Sequence, residues 1–408
     1  MDLVSAQPFW PLRDGLPGTF PALTESVTCD VAVIGAGITG AFVAWHLAEA
    51  GIDVVVLDRR EAAHGSTAAS TSLLLYELDE PLHRLARRFG REFAERCFRR
   101  CRTAIDDTEA LVRRLRLECG FARKPSLLLA SRRGHLGQLR REFEARAAAG
   151  FEVEWWSHAR LARASTLRHA AAILSHDGAQ LDAYRLTYGL LRAAERKGAR
   201  IFDSTHVTHR QPGRRAIELR TARGPEVCAQ EVVIATGYEA DAWLPRRATR
   251  FLSTFVLATE PVADFPGWPA DRCLIWETAR PYLYLRTTED GRAMIGGYDE
   301  PFRDAAARDR MLAAKTAALR RRLGQFFPKI TFEVATAWAG TFADTEDGLP
   351  FIGPHPQLPR TWFALGYGGN GVTFSLIAAQ LIRAAMLGRG DPDAALFDFD
   401  RRKFRAGA

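Results

Sequence analysis

Lysine is scarce in this chain: it supplies only five of the 56 basic residues, so arginine carries nearly all of the positive charge behind the net charge of +8. The densest basic run, residues 84–116, is interrupted by acids at five positions. This pattern predicts one helix with a solvated, mixed-charge face. A nucleic-acid surface needs basic residues gathered on one face, so nucleic-acid binding is disfavoured, and an RNA-associated role is kept as an alternative.

Metal-binding and membrane signals are also missing. The six cysteines form no CxxC pair and have no histidine at metal-ligand spacing, so the sequence predicts no metal site. The most apolar late run, residues 374–387, is too short to span a bilayer and carries Gln380 and Arg383. Residues 1–18 lack the basic start and apolar core of a signal peptide. We therefore expect a protein of the cytoplasm with no membrane partner.

The segment CDVAVIGAGITGAFVAWHLAEAGIDVVVLDRR, residues 29–60, carries the strongest motif. A near-continuous apolar run predicts a strand buried in a parallel sheet, and a helix and a second apolar strand follow. Between them lies GxGxxG, formed by Gly35, Gly37 and Gly40, and the second strand ends at Asp58. The glycines allow a tight turn, close approach of a pyrophosphate, and close packing of helix on strand; Asp58 can accept hydrogen bonds from a ribose. The motif predicts a dinucleotide site.

Four further segments indicate which dinucleotide. GSTAAST (residues 65–71) offers small hydroxyl residues that could surround a phosphate-ribityl tail. Residues 180–210 predict a helix followed by a strand. EVVIATG (231–237) ends in a glycine turn. DGLPFIGPHPQLPRTWFALGYGGNGVTFSLIAAQLI (347–382) contains a glycine-rich turn that meets the start of a predicted helix. Together with the first motif, these segments resemble the D-amino-acid oxidase superfamily of flavoproteins, which includes glycine oxidase, sarcosine oxidase and γ-glutamylputrescine oxidase. The resemblance spans nearly the whole chain.

The resemblance implies FAD, and we expect it to be bound non-covalently because Gly340 stands where sarcosine oxidase has its covalent flavin cysteine. The expected cofactor-binding residues are Gly35, Ala36, Gly37, Ile38, Thr39, Gly40, Asp58, Arg59, Arg60, Gly65, Ser66, Thr67, Ala69, Ser70, Thr71, Val207, Ala235, Thr236, Gly237, Gly340, Gly369, Asn370, Gly371, Val372 and Thr373. His64 could suggest a covalent flavin link, but the linking histidine of some relatives follows the small-residue motif, so we interpret His64 as a loop residue.

The family architecture implies an α/β chain (α+β overall), with a Rossmann-like FAD-binding domain of the glutathione-reductase type and a substrate domain built on an antiparallel sheet. The FAD-binding domain is expected to be discontinuous, comprising residues 1–79, 180–247 and 338–408. Residues 80–179 and 248–337 would form the substrate domain, where short β-rich runs precede a predicted helix at 304–323.

Two departures from the family concern the substrate. Glycine and D-amino-acid oxidases bind the substrate carboxylate with an arginine, and Phe342 stands at that position here. Sarcosine oxidase uses a lysine at the position of Thr373, and its covalent flavin cysteine would fall at Gly340. The departures favour an amine over a small α-amino acid. The candidate substrate-pocket residues are Tyr282, Tyr284, Arg286, Phe342, Trp338, Tyr76 and Tyr367.

These features predict a FAD-dependent oxidoreductase that oxidises the C–N bond of an amine or amino acid by hydride transfer to flavin, after which the imine is hydrolysed. Oxygen or another acceptor would reoxidise the flavin. No catalytic acid or base is nominated. The alternatives are a flavoprotein that acts on a tRNA-type modified nucleoside, or a non-catalytic FAD-binding subunit of a multi-subunit dehydrogenase. The oligomeric state is left open.

Overall fold

The computed structural model describes residues 2–404. Its strands are β1 (Val4–Ser5), β2 (Val27–Ile34), β3 (Val54–Leu57), β4 (Leu73–Leu74), β5 (Ala122–Leu129), β6 (Val153–Ser157), β7 (Ala171–Gln180), β8 (Arg200–Phe202), β9 (Val207–Pro212), β10 (Ile217–Thr221), β11 (Glu226–Ile234), β12 (Arg250–Thr259), β13 (Leu274–Glu277), β14 (Tyr284–Thr287), β15 (Ala293–Pro301), β16 (Val334–Asp344), β17 (Phe351–His355) and β18 (Leu358–Leu365). Its helices are α1 (Phe9–Asp14), α2 (Ile38–Glu49), α3 (Ser66–Ala69), α4 (Leu82–Phe89), α5 (Arg91–Leu115), α6 (Leu136–Ala148), α7 (His158–Ala164), α8 (Ala183–Arg196), α9 (Ala305–Phe326) and α10 (Gly371–Met386).

The first sheet contains the predicted βαβ unit. Strands β18, β11, β2, β3 and β8 lie side by side in parallel, β17 closes one edge, and β9 and β10 join through β11. All four residues of β3 are fully buried, which explains its unbroken run of valines and leucine. Helix α2 packs between α8 and α10 on this sheet. The predicted Rossmann-like arrangement is confirmed.

Glycine is required at two positions of the first turn. Gly35 has a φ of +113°, and a Cβ there would lie 2.4 Å from the carbonyl oxygen of Ala235. A Cβ on Gly40 would lie 1.8 Å from the carbonyl oxygen of Gly35. Both distances are far below van der Waals contact with backbone atoms that cannot move away. The turn therefore depends on backbone packed directly against backbone.

The second sheet has ten strands in the order β1-β16-β12-β15-β14-β13-β5-β7-β4, with β6 paired to β7. Its pairs are antiparallel except β13 with β5. Helix α9 packs on it, and the Asp304 side chain caps that helix by accepting from the Ala307 amide at 2.7 Å. The predicted domain division stays a prediction, but β1, β4 and β16 belong to this sheet although the predicted FAD-binding segments contain all or part of them.

The predicted single helix over residues 84–116 is wrong in one respect. The run forms two helices, α4 and α5, because Gly90 breaks it with a φ of +91°. The mixed-charge face is present: Glu95 pairs with Arg91 at 2.5 Å and with Arg99 at 2.6 Å, each one turn away. Acids on the same helix therefore offset part of the positive charge of this basic run.

The Gly40 contact gives a stability prediction. Gly40→Ala should destabilise the protein by about 3 kcal/mol or more, because the added methyl overlaps a backbone carbonyl. Gly324→Ala is the matched control: it lies inside α9 with open space around its Cβ position, and it should stabilise by about 0.5–1 kcal/mol. Urea unfolding of both variants measures the difference, and equal midpoints would contradict the argument.

Candidate functional site

A cavity of about 600 Å³ lies at the carboxyl ends of four parallel strands, β2, β3, β11 and β18. This is the edge where open α/β sheets bind ligands, and the volume is in the usual range for a ligand site. We call it the large cavity. The sequence-predicted cofactor residues that line it are Gly35, Gly37, Ile38, Thr39, Asp58, Arg59, Arg60, Gly65, Ser66, Thr67, Ser70, Val207, Ala235, Thr236, Gly237, Gly371 and Val372.

The amide end of α2 opens into the large cavity. The Ile38 amide donates to the Thr67 hydroxyl at 3.0 Å, and a Cβ on Gly37 would lie 3.1 Å from the same oxygen. The first amides of a helix have no partner within the helix, and its dipole places partial positive charge there. With glycine at the cap, the cap residue has no side chain between this positive end and a bound phosphate.

Asp58 lies beside this turn and ties it to the end of β3. Its carboxylate accepts hydrogen bonds from the Ala36 amide at 2.7 Å and the Arg60 amide at 2.9 Å. Burial raises the pKa of Asp58, while the two amides act in the opposite direction. The acid therefore organises the turn as well as lining the large cavity.

A cluster of one acid and two arginines lines the large cavity, and this pairing was not predicted. Glu239, two residues after the Ala235-Thr236-Gly237 turn, pairs with both Arg59 and Arg60; its contact with Arg60 is 3.0 Å. Thus the segment after β11 is tied to the segment after β3. Asp241, Thr205 and His206 also line the large cavity and were missed. Each lies within four residues of a predicted cofactor residue, Val207 or Gly237, so proximity in sequence was the available signal.

A smaller cavity of about 140 Å³ adjoins the large cavity. The two share the lining residues Ser66, Ser70, Tyr238, Gly371 and Val372. We call it the small cavity. It lies between the start of α10 and the ten-stranded sheet. It is also lined by Ala69, Thr71, Ser72, Leu73, Leu75, Thr254, Trp276, Tyr282, Tyr284, Asp299, Gly340, Thr341, Phe342, Gly368 and Gly369.

Aromatic side chains form one wall of the small cavity. The Tyr282 ring lies edge-on to Trp276 and to Tyr284, with centroids 6.2 Å and 5.9 Å away, and the Tyr284 hydroxyl is 3.0 Å from that of Thr254. Tyr282, Tyr284 and Phe342 were predicted for the substrate pocket and line this cavity; Tyr367 was also predicted but lines the large cavity instead. Trp276, Thr254 and Asp299 were not predicted.

Two other pocket candidates are core residues, which corrects the sequence-based prediction. Trp338 is fully buried and donates its indole N–H to the Ala69 carbonyl at 3.0 Å. Tyr76 is fully buried, stacks on Phe151 with centroids 4.8 Å apart, and has its hydroxyl 3.2 Å from that of Ser175. Neither lines the large or the small cavity.

Arg286 is also not a pocket residue. It is buried behind the small cavity, where its guanidinium donates to the carbonyls of Thr71, Ser72 and Leu181 at 2.8, 3.1 and 2.8 Å. Burial lowers the pKa of Arg286 to about 9. The side chain holds in place the 71–72 segment that lines the small cavity, so its contribution to the site is positional.

The glycine turn before α10 is tied to the segment that follows β4. The Asn370 amide group donates to the carbonyls of Leu75 and Glu77 at 3.0 and 2.9 Å, and the Gly369 backbone amide donates to Asp79 at 2.9 Å. These contacts aim the start of α10 at the junction of the two cavities. Of the predicted cofactor residues, Ala36, Gly40, Asn370 and Thr373 line neither cavity, and Ala69, Thr71, Gly340 and Gly369 line the small cavity.

His64 lies outside both linings. Its Nδ1 is 3.0 Å from the Ala62 carbonyl, and its ring packs edge-on against Tyr184. Within residues 2–404 no three His, Cys, Asp or Glu side chains are grouped so as to hold a metal ion. In the same part of the chain, no helix combines the length and the apolar character needed to cross a bilayer.

The site fits FAD. Its large cavity has the amide end of α2 for a pyrophosphate and Asp58 directly after β3, and the start of α10 lies where the two cavities meet. These features define a dinucleotide-binding protein with an adjoining pocket for a second ligand. A family model described as "FAD dependent oxidoreductase" (DAO) matches residues 30–385. The chain therefore belongs to this family of FAD-dependent oxidoreductases, which confirms the resemblance stated above.

Named relatives agree with this assignment. The chain is 28% identical over 386 residues to γ-glutamylputrescine oxidoreductase of Escherichia coli (strain K12), covering 92% of this chain and 87% of the relative. It is 25% identical over 366 residues to glycine oxidase of Geobacillus kaustophilus (strain HTA426), covering 86% and 91%. The crystal structure of glycine oxidase from Geobacillus kaustophilus superimposes with a TM-score of 0.76 at 22% identity, covering 92% of this chain and 99% of that one, so the fold is shared.

The contacts of Asp58 give a prediction about cofactor binding. Asp58→Asn should weaken FAD binding on the order of 10- to 100-fold, because an amide can accept from only one of the two N–H groups and turns a donor toward the other. Asp53→Asn, at an exposed residue paired with Arg200 at 2.8 Å, is the control and should bind FAD normally. Titration of the two apoproteins with FAD, followed by flavin fluorescence, measures both constants.

Proposed function

We propose that the chain binds FAD without a covalent link and oxidises the C–N bond of an amine held in the small cavity. Bound FAD supplies the two-electron chemistry by accepting a hydride from the carbon next to nitrogen. Water then hydrolyses the resulting imine to a carbonyl compound, and oxygen or another acceptor takes up the electrons. The named relatives, an oxidoreductase of γ-glutamylputrescine and a glycine oxidase, support a substrate among amines or amino acids.

One observation favours an amine over an α-amino acid. Among the residues that the structure describes, no arginine, lysine or histidine lines the small cavity. A carboxylate moved into such a space would lose its hydration without gaining a counter-charge, which is costly. Phe342, at the position of the family's clamping arginine, lines this cavity instead. The walls suit a carbon chain and a positively charged nitrogen, which aromatic rings attract.

The chain's own groups would hold the cofactor by charge and shape. The amide end of α2 and the Thr67 hydroxyl face the expected pyrophosphate, and Asp58 would face the ribose. The start of α10, at Gly371, presents partial positive charge where the two cavities meet. This positive potential would stabilise the negative charge of a reduced flavin bound at the junction.

A non-covalent link is supported by the same linings. No cysteine among the described residues lines either cavity, and Gly340 occupies the position of the family's linking cysteine. The one histidine in the linings of residues 2–404, His206, lies beside Val207 and Thr208 on the large cavity. We therefore expect acid precipitation to release all of the flavin into the supernatant.

The first experiment is anaerobic mixing of the purified flavoprotein with a panel of primary and secondary amines and of D- and L-amino acids. The flavin absorbance near 450 nm should bleach with amines and at least about tenfold less efficiently with α-amino acids of equal chain length, since the latter bring an unpaired carboxylate into the small cavity. Faster bleaching by amino acids would contradict the amine assignment.

The same measurement tests one alternative, and a tRNA-binding assay tests the other. A non-catalytic subunit would keep its flavin oxidised with every small amine until a partner protein is added. A tRNA-modifying flavoprotein would retain tRNA at low salt and release it as salt rises. The pairing of Glu95 with Arg91 and Arg99 on α5 favours the small-molecule hypothesis, because this basic run carries its own counter-charges.

A further inference from the structure

An unpaired carboxylate lines the small cavity. Asp299 lies on β15, and its Oδ1 atom is buried with no hydrogen-bond partner among residues 2–404. The Thr254 hydroxyl lies 3.0 Å from the Tyr284 hydroxyl. It also lowers the pKa of Asp299, and most of the accepting capacity of the carboxylate stays unused. Asp299 also forms no ion pair with any of the described residues. A buried carboxylate oxygen without a hydrogen bond costs stability, so an unpartnered oxygen of this kind in the lining of a cavity points to a ligand.

The strand is bent so that this side chain faces the cavity. Pairing of β15 with β12 shifts between Ser253 and Phe255, which places two residues, Tyr298 and Asp299, against Thr254 alone. Tyr298 has a φ of +54°, a conformation that side chains other than glycine rarely adopt. Bulges of this kind redirect side chains near functional sites. Without the extra residue, β15 would alternate regularly and Asp299 would take the other face.

The nearby cations are held by other groups. Lys315 donates to Glu300 at 2.6 Å and to the Tyr298 carbonyl at 3.0 Å. Arg280 donates to the backbone carbonyl of Asp79, and its guanidinium lies 4.6 Å from the Tyr282 ring centroid. Neither contacts Asp299. The position beside its carboxylate is therefore available to a cation that comes with a ligand.

We infer that the Asp299 carboxylate binds an ammonium group of the substrate and thereby makes the small cavity selective for cationic amines. The inference rests on the function proposed above and names the group that determines its specificity. The carboxylate supplies the counter-charge, the Thr254 hydroxyl orients it, and the rings of Tyr282 and Tyr284 face the cation and its carbon chain. The ammonium is either the nitrogen that is oxidised, which must first give up a proton to solvent so that its lone pair can form the C=N bond as the hydride leaves, or a second nitrogen on the same substrate.

The test uses the FAD-loaded protein and a ligand that cannot react. Tert-butylamine has no hydrogen on the carbon next to nitrogen, so its binding is measured alone, from the change it causes in the flavin spectrum; tert-butanol is its neutral counterpart. In Asp299→Asn, which preserves shape, the dissociation constant for tert-butylamine should rise about 10- to 100-fold, as expected for a lost charge-assisted hydrogen bond. Tert-butanol binding should stay within about threefold, which is small on the scale of one lost hydrogen bond.

Asp344→Asn is the matched control. Asp344 is a neighbouring carboxylate on β16 whose pKa burial raises to about 6, and it lies outside the lining of the small cavity. Asp344→Asn should change the dissociation constant for tert-butylamine by less than about threefold, because it removes an equal charge but leaves the contact between Asp299 and the ammonium in place. Equal effects of the two substitutions, or an unchanged constant in Asp299→Asn with full FAD content, would overturn the inference.

Turnover separates this inference from the proposed function. If the wild type oxidises amines and Asp299→Asn does so with an unchanged KM, the inference fails and the function stands. If the wild type binds tert-butylamine far better than tert-butanol but oxidises no amine, the function fails and cation recognition stands. A monoamine and a diamine of equal length show which nitrogen Asp299 binds. If Asp299→Asn raises KM for both substrates, Asp299 binds the nitrogen that is oxidised. If it raises KM for the diamine alone, Asp299 binds the second nitrogen.

A pH profile gives an independent readout. Burial raises the pKa of Asp299 to about 7, with Asp79 acting in the same direction and the Thr254 hydrogen bond, Arg280 and Lys315 acting against it. The groups that face this carboxylate are Thr254, Asp79, Arg280, Lys315, Tyr282 and Tyr284. Since only the ionised acid attracts a cation, tert-butylamine should bind about tenfold more tightly at pH 8 than at pH 6. Asp299→Asn should remove this dependence; a profile that survives the substitution would contradict the inference.

Discussion

The site depends on one close approach between backbone atoms. Gly35 passes so near Ala235 that a single Cβ would overlap its carbonyl, and a Cβ on Gly40 would lie even closer to the carbonyl of Gly35. These contacts bring the start of α2, the end of β3 and the end of β11 to one edge of the parallel sheet. Because the three segments touch one another, the same edge holds the positive end of α2, Asp58 and the Arg60–Glu239 pair.

A second set of contacts extends this edge toward the ten-stranded sheet. Asn370 fixes the start of α10 to the carbonyls that follow β4, and Arg286 fixes the 71–72 segment from behind. Each of these buried groups makes several hydrogen bonds to backbone carbonyls, which compensates for the loss of water. The loops that line the small cavity are therefore held by the core and do not depend on a ligand for their conformation.

The parts of the site that the sequence predicted are those made by local structure. The turn from Gly35 to Gly40 and the acid at Asp58 follow from the order strand, turn, helix, strand, and most predicted cofactor residues line the two cavities. Predictions across strands were weaker. Arg286 shares a face of β14 with Tyr284, but two residues advance a strand by about 6–7 Å, which carries Arg286 beyond the small cavity. Asp299 could not be predicted, because a bulge that depends on pairing with β12 sets its direction.

The charge distribution assigns different ligands to the two cavities. Helices α2 and α10 both begin at the large cavity, so their positive ends favour an anion such as a dinucleotide phosphate. The small cavity has a carboxylate, aromatic faces and, among the described residues, no basic side chain in its lining, so it favours a cation. A positively charged amine at the junction would lie between this carboxylate and the start of α10, whose partial positive charge disfavours an ammonium at that point. The nitrogen must then be neutral where it meets the helix end, which is also the state from which a hydride can leave its carbon.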